Sequence, residues 1–92
     1  MKTDVVLADQ VRDYLHGLAP ESRRRARAAL ARLPAGDVKP LRAELEGFHR
    51  LRIGWDRFIY RHHAGRIEIF FAAPRPVVYE FLAANLRELL GP

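Results

Sequence analysis

The amino-acid sequence predicts an α+β domain with the element order β-α-α-β-β-β-α, a small, mostly antiparallel sheet with a helical hairpin packed on one face. Apolar residues recur at helical spacing between Ala8 and Leu33, and from Arg50 onward the period drops to two. Turn residues then punctuate the second half, with Gly54 and Ala64-Gly65 separating three strand-like runs. At 92 residues the chain is expected to form a single domain over residues 1–92, with a core of modest size.

Each element has its own justification. Thr3 to Leu7 is short, apolar and β-branched, which suits a first strand. Val11, Tyr14, Leu15 and Leu18 then follow the i, i+3, i+4, i+7 spacing of an amphipathic helix over Ala8 to Leu18. Pro20 suits the first position of a second helix, and PESRRRARAALARL to Leu33 is rich in helix formers, with Ala26, Leu30 and Leu33 as its apolar stripe. The arginines at 23, 24, 25 and 27 read as the solvated face of that helix. Pro34 to Gly47 reads as a loop with one turn around Leu41 to Leu45. Three strands follow, in RLRI at 50–53, from Arg57 to His63 and from Arg66 to Ala72. Pro74 and Pro76 end the last strand, and Val78, Phe81, Leu82 and Leu89 predict a C-terminal helix.

Composition narrows the function classes. Hydrophobic residues make up 49% of the chain and charged residues 29%, the balance of a soluble globular protein. There is no cysteine, and His16, His49, His62 and His63 lack the spacing and carboxylate company of a zinc site, so neither a metal nor a cofactor is expected. Nothing at the start resembles a signal peptide and no apolar run is long enough for a membrane span, so a cytoplasmic location is expected. The net charge of +5 comes from a basic excess that is mostly arginine, which favours polyanions.

The arginines have a register of their own. A hairpin through Gly54 with a two- or four-residue loop pairs even positions of one strand with odd positions of the next, and paired residues share a face. Arg50, Arg52, Arg57 and Arg61 then fall together, opposite Leu51, Ile53, Phe58 and Tyr60, which face the helices. Asp56 and Glu68 are the only acids from Phe48 to Arg75, so the arginine face is expected to lack carboxylate partners. An ordinary half-exposed sheet explains a polar face; guanidinium forks clustered without acids also suit bidentate phosphate recognition.

The string K-P-L-x3-L-x-G-x2-R-L-R-x-G-x2-R-x2-Y from Lys39 to Tyr60, followed by R-x3-Y from Arg75 to Tyr79, resembles the RelE/ParE toxin superfamily, and its RelE branch in particular. The opening VVLADQVRDYLHGL and the arginine-rich second helix fit the same pattern. The resemblance implies a toxin that cleaves messenger RNA on the ribosome, without metal, and that is neutralised by a cognate antitoxin protein. Carried over by position, it implies that Arg50 and Arg52 contact the scissile region, Arg57 holds the phosphate, Arg75 stabilises charge in the transition state and Tyr79 orients the nucleotide. Attack by the 2′-hydroxyl needs in-line geometry, charge stabilisation and two proton movements. Relatives carry lysine where this chain has Arg50 and Arg52, and arginine cannot give up a proton, so the general base is open between His63, Tyr79 and ribosomal RNA. Trp55 has both a stacking and a packing reading. Two other functions fit the same fold: a ParE-like, non-catalytic toxin that binds DNA gyrase, and a detoxified relative that keeps only antitoxin binding.

Overall fold

The computed structural model describes residues 4–76, 78–80 and 84. A first strand, β1 (Asp4–Leu7), leads into helices α1 (Asp9–His16) and α2 (Pro20–Ala31). A short strand β2 (Val38–Pro40) and a 3-10 turn (Ala43–Leu45) precede β3 (Phe48–Ile53), β4 (Asp56–His63) and β5 (Arg66–Pro74). The strands form one sheet in the order β1-β5-β4-β3-β2. The β1–β5 pair is parallel and the other three pairs are antiparallel. The predicted α+β class and the helical hairpin on one face are present. The expected C-terminal helix is represented by helical residues 75–76, 78–80 and 84; Phe81, Leu82 and Leu89 lie outside the described residues.

One departure is β2, which falls where the sequence suggests a loop. Three residues containing a lysine and a proline carry no alternation, yet they suit a sheet edge, where a proline lacking its donor does no harm. Their register matters below: Lys39 lies directly opposite Arg50.

The helices cover one sheet face because their apolar stripes match it. Val11 and Leu15 of α1 with Ala26 and Leu30 of α2 bury against Leu51, Phe58, Tyr60, Ile67, Ile69 and Ala72. Two polar devices hold the hairpin, one joining its helices and one tying it to the sheet. Arg23 donates hydrogen bonds to the carbonyls of Leu15, His16 and Leu18, each at 3.0 Å, and so satisfies acceptors that the end of α1 leaves free. It is thus a structural cap, whereas Arg24, Arg25 and Arg27 are exposed as expected. Beyond the end of β1, Gln10 acts as a substitute strand: its amide donates to Ala72 O at 2.6 Å and accepts from Ala72 N at 2.8 Å.

The opposite face is not simply solvated. Phe48, Ile59, Phe71, Ala73 and Val78 form a second buried cluster there, joined by partly buried Leu41 and Leu45. A β-bulge creates it. Ile59 faces Phe71 while Tyr60 faces Ile69, leaving Phe70 as an extra residue in β5. Without that bulge, in a regular strand, Phe71 and Ala73 would share the parity of Ile67 and Ile69 and face the helices. With it they turn to the arginine face and give the cationic side chains an apolar floor.

Gln10→Ala leaves the buried N–H and C=O of Ala72 without partners. The expected cost is about 2–4 kcal/mol for two unsatisfied buried groups, read as a lowered denaturant midpoint with an unchanged slope.

Candidate functional site: a cationic cleft at the sheet edge

The β3–β4 connection is a two-residue loop, because Ile53 pairs with Asp56 and Arg52 with Arg57. Gly54 opens it at φ +59°, the left-handed conformation that the first central position of a type II′ turn requires and that glycine adopts without strain. The two-residue loop preserves the even-to-odd pairing. Arg50, Arg52, Arg57 and Arg61 therefore share a face, and Leu51, Phe58 and Tyr60 are buried on the other.

Arg57 is the anchor of this face. It is only 6% exposed, the one buried charged residue among those described. Its Nη1 donates to Gly54 O at 2.8 Å and to Asp56 O at 3.1 Å. The same turn receives the backbone N–H of Arg75, which donates to Trp55 O at 3.0 Å, and this bond brings the start of the C-terminal segment alongside β4. From the helix side the Tyr14 hydroxyl donates to the Asp56 carboxylate. Burial first, then the hydrogen bond to Asp56 and its charge, push the Tyr14 phenol well above its usual range, so it remains a neutral donor. A desolvated guanidinium is thus held by neutral carbonyls, and no carboxylate pairs with it among the described residues.

Around it opens a cleft of about 640 Å³ lined by Lys39, Pro40, Leu41, Arg42, Arg50, Arg52, Arg57, Arg75 and Tyr79. All five residues singled out from the sequence meet there. The cleft also contains Lys39 and Arg42, which the sequence reading does not nominate. Lys39 carried a usable signal in the K-P-L string, but only its pairing with Arg50 shows that the two share a face. Among the described residues six cationic side chains line the cleft and no carboxylate does.

Several expectations need correction. Arg50 and Arg52 do have an acidic partner: Asp37, from the loop before β2, binds Arg50 Nη1 at 3.2 Å and Arg52 Nε at 2.5 Å. The backbone carbonyl of Asp37 also accepts from Arg50 Nη1 and from the Arg52 N–H, which pins the loop to β3. Hydrogen bonds from Arg52 first, then Arg50, hold the Asp37 carboxyl below the usual carboxylate range. Arg61 lies on the predicted face, but Glu68 pairs with it at 3.0 Å across β4–β5 and it does not line the cleft. His63 pairs with Arg66 at the far end of β4, so it is not placed to act in the cleft. Trp55 is 61% exposed at the turn and lies outside the lining.

Chemically, the cleft gathers positive charge on rigid elements and suits an anion. Arg57 is fixed by its turn, Arg50 and Arg52 by neighbouring positions of β3, and Tyr79 sets one aromatic ring at the edge. Guanidinium groups presented from adjacent strands can grip phosphate oxygens from several directions. Among the described residues no group of side chains is placed to hold a metal ion, and no helix is long and apolar enough to cross a membrane.

No family model and no curated protein sequence matches the chain. Solved structures do. The toxin–antitoxin complex RelBE2 from Mycobacterium tuberculosis is similar at 28% identity and a TM-score of 0.68, over 82% of this chain and 100% of that one. The archaeal RelE–RelB complex from Pyrococcus horikoshii is similar at 29% identity and a TM-score of 0.65, over 82% and 97%. The RelB–RelE complex from Methanococcus jannaschii, at 15% identity and a TM-score of 0.67 over 83% and 96%, shares the fold. Fold and sequence likeness together define a toxin of the toxin–antitoxin class. These neighbours support a place in the RelE/ParE toxin superfamily, whose fold the chain shares.

Asp37→Asn removes the internal counterion of Arg50 and Arg52. Affinity for single-stranded RNA is expected to rise about two- to fivefold, the scale of an exposed ion pair, in fluorescence anisotropy at fixed ionic strength. The carboxylate is the pairing form and its pKa is lowered, so the contact holds above the usual carboxylate range. It is lost only as the pH falls through that lowered value. The advantage of the variant should therefore shrink as the pH falls through that value.

Proposed function

We propose that this protein is a ribosome-dependent messenger-RNA endoribonuclease that inhibits translation, held in check in the cytoplasm by a cognate antitoxin. The observation that supports the nuclease reading is the desolvated Arg57 in a cleft where, among the described residues, six cationic side chains and no carboxylate form the lining. Burying an unpaired cation costs several kcal/mol, and a phosphodiester entering the cleft offsets that cost.

The chemistry follows from the groups present. Arg57 and Arg52, directly opposed on β4 and β3, grip the non-bridging oxygens of the scissile phosphate. Arg50 and Arg75 add positive charge as a dianionic phosphorane develops, and a preorganised charge of this kind is worth most in a partly dry site. Tyr79 stacks on or orients the adjoining nucleotide, which holds the 2′-hydroxyl in line with the departing 5′-oxygen. With one aromatic ring and no array of base-reading amides, the cleft has little means of choosing a sequence. Delivery of a splayed codon by the ribosome, the expectation the family resemblance carries, supplies what it lacks. The solved relatives from M. tuberculosis and P. horikoshii are complexes with an antitoxin, which supports such a partner here.

The Asp37 contact favours a second reading, a detoxified relative whose cleft is permanently self-paired through Arg50 and Arg52. Growth separates the two. Expression without antitoxin should arrest growth and produce cuts within ribosome-bound codons, mapped by primer extension. Arg57→Ala and Tyr79→Ala should each relieve the arrest by about a hundredfold or more in cleavage rate, with circular dichroism confirming that both fold. Normal growth at high levels of the unmodified protein would favour the detoxified reading, and filamentation with DNA-damage signalling would point to gyrase. Full toxicity in both folded variants would sink the site assignment.

A further inference from the structure

Five of the six cations in the cleft are arginines, which hold their protons under any physiological condition. The sixth is Lys39, an ammonium able to give one up. Its position is set by the sheet. Residues 38–40 pair with β3, so Lys39 stands beside Arg50 on the face that carries Arg52 and Arg57. It lies two strand spacings from β4, about 10 Å at the backbone, a gap that a bound phosphodiester and two long side chains fill. Among the described residues Lys39 makes no ion pair and no side-chain hydrogen bond, so its three donors are available to a ligand.

We propose that Lys39 is the general acid of this cleft, a role that rests on the nuclease reading above. As the 2′-oxygen bonds to phosphorus, the bond from phosphorus to the 5′-oxygen breaks, and that oxygen leaves as a poor alkoxide unless it is protonated. The Lys39 ammonium donates the proton to the departing oxygen, and the proton of the 2′-hydroxyl passes to water. The products are a 2′,3′-cyclic phosphate and a free 5′-hydroxyl, with no oxidant or metal consumed. The ammonium is the resting form of lysine, so donation needs no prior ionisation, whereas a lysine base would first have to lose its charge. Placement on a paired strand keeps the donor at one edge of the cleft while Arg57 fixes the phosphate at the centre.

The test uses programmed ribosomes carrying either a natural messenger or one with sulfur in place of the 5′-oxygen at the cut site. Thiolate leaves without help from an acid. With the natural messenger, Lys39→Arg and Lys39→Ala should both cut at least about a hundredfold more slowly than the unaltered protein, even though the arginine variant keeps the charge. With the sulfur-substituted messenger both variants should return to within about threefold of the unaltered protein, since general-acid help is the only contribution the substitution replaces. Equal cutting of the natural messenger by Lys39→Arg overturns the assignment, as does a loss that persists undiminished with sulfur. If the unaltered protein cuts neither messenger, the nuclease reading itself falls and takes this role with it. Cutting by the unaltered protein separates that failure from a failure at Lys39 alone.

Discussion

A charge that cannot leave, and that no acid among the described residues neutralises, sits at the centre of this molecule. Arg57 is buried at the base of a two-residue turn and held by backbone carbonyls, so its position is set by the hairpin. The surrounding groups converge on that turn. Tyr14 reaches it from α1 through Asp56, and Arg75 reaches it through its own N–H. Helix, hairpin and C-terminal segment are therefore fastened at one point, which also orients the anion site. Removing the guanidinium takes away a buried charge and two hydrogen bonds of the turn together.

The remaining cations are graded outward from this anchor. Arg50 and Arg52 share one internal carboxylate, whereas Lys39 and Arg75 have none among the described residues. Asp37 reduces repulsion in the empty cleft without entering it, because it approaches from the side of the β2 loop. The phosphate of a ligand therefore competes with a single exposed carboxylate, a weak rival in water. On the same face, Phe71 and Ala73 form an apolar floor that keeps solvent away from the guanidinium bases and strengthens their electrostatics.

Much of this was legible from the sequence, for identifiable reasons. A single glycine between period-two segments limits the loop length, and loop parity alone places Arg50, Arg52 and Arg57 together. The helical stripes were equally clear, since Val11, Leu15, Ala26 and Leu30 are all buried against the sheet. What escaped had no periodic signal. A three-residue edge strand such as Val38–Pro40 shows no alternation, and Lys39 was hidden with it. The run Ile-Phe-Phe-Ala-Ala is apolar at every position, so nothing in it reveals that the phase slips at Phe70. Asp37 is distant in sequence from both arginines and meets them only when the loop folds back. Phe48 and Ile59 share the parity of the arginines, a sign available in the sequence that this face is only partly polar.

The parallel pairing of β1 with β5 has a kinetic meaning. It joins residues 4–7 to residues 66–69, the widest separation of any strand pair in the sheet, while β2, β3 and β4 assemble from near neighbours. Contacts between distant positions form late, because a long loop must close before they stabilise anything. During synthesis the helical hairpin emerges early but has no sheet to rest on until β5 has been made. The nascent sheet therefore remains incomplete until β5 has left the machinery making it.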